Sequence, residues 1–142
     1  MQATLLLLLL LLCASLASAL KSRTCSPRLL STALHAAKGP RPLHDKFTVQ
    51  TATPELLDEL NVVAWPTWST ASSSKYKTGV RSPLKVYDCN ELSYVYKGEV
   101  EITNADTGEV AVVRKGDFVT FPNGFKCYWH VTSTVEKNWY IY

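Results

Sequence analysis

A chain of 142 residues with 46% hydrophobic and 19% charged residues is the size of one domain and has the composition of a folded protein, which excludes disorder along its whole length. The net charge of +3 is unevenly placed: all twelve acidic residues follow His44, together with ten of the fifteen basic ones, so the region from Asp45 carries −2. That balance excludes nucleic-acid binding driven by a basic domain.

At the N-terminus Leu5 to Leu12 form an unbroken apolar run, and Ala17, Ser18 and Ala19 give the small-x-small pattern that signal peptidase accepts. Residues 1–19 therefore read as a signal peptide cleaved before Leu20. The apolar stretch is interrupted by Ser15 and Ser18 and falls short of the roughly 20 residues that cross a bilayer, so no stable membrane span is expected after cleavage. Residues 20–44 carry Lys21, Arg23, Arg28, Lys38 and Arg41, the hydroxyls of Ser22, Thr24, Ser26, Ser31 and Thr32, and no acid. This is transit-like composition, and behind a signal peptide it reads as a two-part leader to a plastid; the alternative is a secreted protein with a disordered basic arm.

Further along, Thr53 is placed to cap a short helix from Pro54 to Leu60, with Pro at its first position, Glu55 and Asp58 near its positive end and Asn61 as a stop. Leu56, Leu57 and Leu60 make its apolar face. Beyond Trp65 the pattern changes to short β-like runs separated by turn residues. Strands are predicted at Leu84–Tyr87, Leu92–Tyr96, Glu99–Thr103, Val110–Arg114, Phe118–Phe121, Lys126–Val131 and Val135–Tyr142, with turns that include Lys97–Gly98. No internal repeat or linker divides them, so residues 45–142 read as one all-β domain.

Within that domain GDFVTFPNGFKC, Gly116 to Cys127, sets a glycine, five residues, a proline and a second glycine at fixed offsets. Glu91, six residues and Gly98 form a second frame ahead of it. Together these resemble the two motifs of the cupin family. WPTW at Trp65–Trp68, GDFVTFPNGFKCYWHV at Gly116–Val131 and the terminal KNWYIY bring the closer resemblance to the (S)-ureidoglycine aminohydrolase cupin domain of small plant and algal members. The resemblance implies a small single-domain cupin, an RmlC-like jelly-roll barrel with a short N-terminal helix, and a homodimer formed through sheet edges. It also implies a metal held by three histidines and a glutamate, and here the chain departs from it. The histidine position three residues after the second glycine is Cys127, and the paired upstream histidines fall among Leu84, Lys85, Val86 and Tyr87. The asparagine that often closes the second motif is replaced by Val131.

If Glu91 points inward as its cupin counterpart does, strand parity puts Ser93 and Val95 inside with it and Leu92, Tyr94 and Tyr96 outside against a covering element. Cys127, Trp129 and Val131 then face in, while Lys126, Tyr128 and His130 face out. Glu91 and Cys127 are the candidate catalytic residues, and Tyr87, Ser93 and Trp129 the candidate ligand-binding ones. A carboxylate inside a barrel must be paired, hydrogen-bonded or protonated, so Glu91 is either a site residue or a structural contact of Tyr87, Lys85 or Lys137. Cys127 lacks an adjacent base because His130 faces the other way, and free cysteine is commonly just buried. Cys89 and Cys127 are open to one disulfide or to two buried thiols. No cofactor is expected; a divalent metal would have only Glu91 and Cys127, aided by Cys89 or Tyr87. Trp65 and Trp68 are expected to pack at the mouth of the barrel. The function so implied is binding of a small polar metabolite in the barrel without a complete metal site. A metal-dependent ureide amidohydrolase and a non-catalytic interaction protein are the alternatives.

Overall fold

The computed structural model describes residues 38–142. The segment expected to be a signal peptide and most of the one expected to be transit-like lie outside the described residues. Among the described residues no helix is long and apolar enough to cross a membrane.

Alternating side chains and glycine turns produce a β-barrel of cupin jelly-roll type. Its strands are β1 (Thr48–Thr51), β2 (Thr67–Ser69), β3 (Lys85–Val86), β4 (Glu91–Asn104), β5 (Val110–Arg114), β6 (Asp117–Phe121) and β7 (Lys126–Ile141). All contacts between them are antiparallel, in the order β1-β6-β4-β7-β2, with β3 also on β7 and β5 also on β4.

Two strands do most of the construction. β4 and β7 run side by side from Glu91 opposite Ile141 to Asn104 opposite Cys127, so each passes through both layers of the barrel. Predicted as two strands apiece, each is continuous. The Lys97–Gly98 signal marks a bulge in β4 rather than a chain reversal: register shifts against β7 fall between Val95 and Val100, where the ribbon bends. Gly98 makes that bend. Its φ is +85°, and a Cβ there would collide with the backbone carbonyl of Thr134 on β7. Bulging lets the first half of β4 pair with β6 and the second half with β5. β1 and β2 are strands that the residue pattern did not disclose, each short and at an end of the sheet path.

The core fills the space between the layers. Val95, Val100, Ile102, Val113, Val119, Phe121, Cys127, Val131 and Val135 are all at most 2% exposed and pack as one cluster with Tyr87 and Trp129. Burial of each such large apolar side chain contributes about 1.5–3 kcal/mol. Helix α1 (Pro54–Glu59) covers the outer face. Thr53 caps it, accepting a bond from the Leu56 N–H at 3.3 Å, and Leu60 ends it, fully buried against Val62, Trp65, Leu92 and Phe118. Leu92 is thus outward, as parity implied, yet completely covered. Trp65 belongs here too, donating its indole N–H to the Leu60 carbonyl at 3.1 Å, so it braces the helix and does not stand at the mouth.

The segment just ahead of the domain is docked on this same face. Gly39 N–H bonds the Glu59 carbonyl at 2.8 Å, Lys38 pairs with Asp58, and Arg41 pairs with Glu59 at 2.5 Å. The exposed pairs contribute little individually.

Candidate functional site

A cavity of about 420 Å³ opens into the barrel between β3, β4 and β7. Its walls are aromatic: Trp68, Tyr76, Tyr87, Trp129 and Trp139 all line it. Trp68, Tyr76 and Trp129 meet edge-on or tilted, with centroids 5.3–6.1 Å apart. Behind them Phe121 stacks on Tyr87 at 4.3 Å and 7°. Tyr76 comes from the loop after β2, a residue that strand parity had no means of placing.

In this apolar setting sits an ion pair. Lys137, on β7, donates to Glu91 Oε1 at 2.5 Å and to Ser93 Oγ at 3.0 Å, and Ser93 Oγ donates to the same Glu91 oxygen at 2.7 Å. The pair is largely hidden, with side chains 8% and 15% exposed for Lys137 and Glu91. β4 and β7 place it: Glu91 and Ser93 share the inward face of one strand, and Lys137 lies on the inward face of its neighbour, two residues from Trp139 and two from Val135. The Lys137 ammonium lies 5.4, 5.5 and 5.8 Å from the ring centres of Trp129, Trp68 and Phe121, which stabilise a cation through their π faces. Burial pushes the Glu91 carboxyl up, but the charge and hydrogen bond of Lys137, with help from Ser93 and the charge of Lys85, outweigh it and hold it below its ordinary value. Glu91 is therefore a carboxylate at neutral pH.

An ammonium has three N–H donors, and Lys137 uses two. A second donor in the lining is also unspent: Trp129 Nε1 is buried and has no hydrogen-bond partner among the described residues. The indole N–H is felt by the Tyr87 hydroxyl and the Cys127 thiol but meets hydrogen-bond geometry with neither. A buried unpaired donor costs about 1–3 kcal/mol, so such groups call for an explanation.

Of the sequence-predicted site residues, Glu91, Tyr87 and Trp129 line the cavity, and Ser93 is buried beneath it as the hydrogen-bond partner of both charges. Cys127 is a fully buried free thiol in the core, not bonded to Cys89. Burial pushes its pKa up to about 11. His130 lies outside, with Nδ1 at 3.1 Å from Glu101. Among the described residues no three His, Cys, Asp or Glu side chains converge as a metal site would require. Lys137 and Lys85 entered the sequence reading only as structural contacts of Glu91. The available signal was parity, since Lys137 is the one charged residue among the inward positions Val135, Lys137 and Trp139.

The family profile described as the EutQ-like cupin domain matches residues 57–139. Among solved structures, a DUF861 family protein from Thermotoga maritima is 37% identical, with TM-score 0.59, over 68% of this chain and 100% of that one. Two more distant likenesses are a DUF861 family protein from Pseudomonas syringae (22% identity, TM-score 0.43, 54% of this chain and 29% of that) and the Clostridium difficile EutQ protein (14%, 0.44, 78% and 80%). Neither carries an argument. A search of curated proteins gave no match.

Proposed function

The chain belongs to the EutQ-like cupin family, and from that membership and its aromatic cavity we propose that it binds a small polar metabolite inside the barrel, with Lys137 as the central positive charge. The observation that carries this reading is an unpartnered Trp129 Nε1–H and a Lys137 ammonium with a donor to spare, both belonging to side chains that line the same cavity. Unspent donors among flat apolar walls are the ordinary composition of a small-molecule site. Binding, rather than acid–base turnover, is the role that these groups suit. Glu91 is held ionised by Lys137 and so makes a poor proton donor, and the Cys127 thiol is raised away from the thiolate that a nucleophile needs.

A metal-dependent ureide amidohydrolase, the alternative suggested by the closer sequence resemblance, takes second place. It needs Glu91 and Cys127 to gather a divalent ion, whereas Glu91 is neutralised by Lys137 and Cys127 is a buried neutral thiol. These residues do not fit a divalent ion. The plastid destination rests on the leader alone, and a fluorescent fusion of the first 44 residues tests it.

The binding reading is tested by mass spectrometry of small molecules that co-purify with the native chain and with Trp129→Phe, which keeps an aromatic wall but removes the donor. A compound retained by the wild type and by Trp65→Phe but lost from Trp129→Phe supports the site. Identical extracts from all three proteins contradict it.

A further inference from the structure

The sequence resemblance assigns a metal to the barrel glutamate, and Glu91 already holds a cation of the chain's own. Lys137 Nζ lies 2.5 Å from Glu91 Oε1, within the range of about 2.0–2.6 Å at which a divalent ion bonds a carboxylate oxygen. Ser93 closes the arrangement, accepting from Lys137 at 3.0 Å and donating to the same Oε1 at 2.7 Å. A metal on that oxygen would have to displace two donors, and one on the other oxygen would stand beside the ammonium and be repelled by it. The other positions of the ligand set also face the cavity. Of the four residues among which the paired histidines would fall, Leu84 and Val86 are exposed, while Lys85, opposite Cys127 on β7, and Tyr87 line the cavity. The charges of Lys85 and Lys137 act on both Glu91 and Cys127, so these positions converge as they would around an ion. What converges is two ammoniums, a phenol, a buried thiol and one carboxylate, whereas a divalent ion needs several deprotonated donors. The ring centres of Trp129, Trp68 and Phe121 lie 5.4–5.8 Å from Lys137 Nζ. Their π faces hold an ammonium and supply no metal ligand.

We propose that the Lys137 ammonium is the resident cation of this barrel: it takes at Glu91 the place that the resemblance gives to a divalent ion, and the cavity works without one. Carried on β7, this cation neither dissociates nor yields to a chelator. It presents a ligand with an N–H donor where a metal would present an open coordination position. The assignment goes beyond the binding reading, since it holds whichever molecule the cavity takes.

Lys137→Ala removes the cation and leaves its seat, which tests this by chemical complementation. Thermal unfolding of the wild type and of Lys137→Ala is followed with propylammonium chloride, the part of the side chain that is deleted, with propanol, which lacks the charge, with sodium chloride, and with magnesium, manganese or zinc chloride. Propylammonium is expected to raise the Tm of Lys137→Ala by about 5 °C or more, with no such rise from propanol or sodium chloride. The doubly substituted Glu91→Gln, Lys137→Ala chain should not respond, and the wild type should be moved by neither the amine, the divalent ions nor a chelator. If Lys137→Ala does not fold by itself, the amine should increase the yield of folded protein on refolding from urea, read by circular dichroism. A response to propanol as large as that to propylammonium, or no gain from the amine in either format, overturns the assignment. So does a divalent ion that raises the wild-type Tm by a similar amount and loses its effect in Glu91→Gln. None of these outcomes alters what co-purifies with the native chain, so the binding reading stands or falls separately.

Discussion

Replacing Lys137 by methionine isolates the feature on which the cavity is built. The substitution preserves a flexible apolar stem among Trp68, Phe121 and Trp129 but removes the ammonium, leaving Glu91 with the Ser93 hydroxyl alone. Breaking a buried pair by deleting one partner costs about 3–5 kcal/mol, because a charge remains without compensation. The pair here is 8% and 15% exposed, so the lower end, about 3 kcal/mol, is the expected loss at pH 7. For a domain of this size about 3 kcal/mol corresponds to a drop in Tm of roughly 12–24 °C. The pH dependence distinguishes this cause from lost packing. In the wild type the depressed Glu91 pKa adds stability that is present above the ordinary value of 4.5 and is lost as pH falls through the folded-state value. In Lys137→Met the burial effect is no longer opposed by the ammonium, so the carboxyl shifts upward and takes a proton on acidification. The difference between the two proteins therefore narrows as pH is lowered. Glu91→Gln combined with Lys137→Met should recover most of the stability, since no buried charge remains. Urea unfolding of the three proteins from pH 4 to 8 measures this. A loss of less than about 1 kcal/mol in Lys137→Met, or one that does not change with pH, would refute the claim that a buried ion pair organises the site.

Two further outcomes are expected. Cys127, with a pKa of about 11, is about one part in a thousand thiolate at pH 8, so peptide mass spectrometry should find it unmodified by iodoacetamide until the barrel unfolds; rapid labelling of the folded protein would contradict its burial. Gly98→Ala places a Cβ against the Thr134 carbonyl at φ +85° and should cost about 3 kcal/mol or more, seen as loss of folded protein or a much lower urea midpoint. A wild-type midpoint in that variant would mean that the bend of β4 and β7 does not depend on a bare backbone at residue 98.

Local chemistry made a good part of this molecule legible. Thr53, Pro54 and Asn61 bound a helix because a cap, a preset φ and a left-handed stop act within a few residues. Period-two alternation put Glu91, Ser93, Cys127 and Trp129 on inward faces, and the two glycine frames placed them in a barrel. Glycine's permissiveness was ambiguous, however. Gly98 has the same conformational freedom in a reversal as in a bulge, and the choice rests on Thr134 crossing beside it, which only the paired β7 decides.

The same division runs through the cavity. That a carboxylate lies inside follows from residues near Glu91 in the chain, but its partner is 46 residues away. Lys137 reaches it because β4 and β7 pair in unbroken register ahead of the bulge, with Val95 opposite Lys137 and Ser93 opposite Trp139. Whether a buried charge is a site, a flaw or one half of a pair depends on what faces it across the sheet. Alternation tells which face a side chain occupies, and only the pairing of distant strands tells what it meets there.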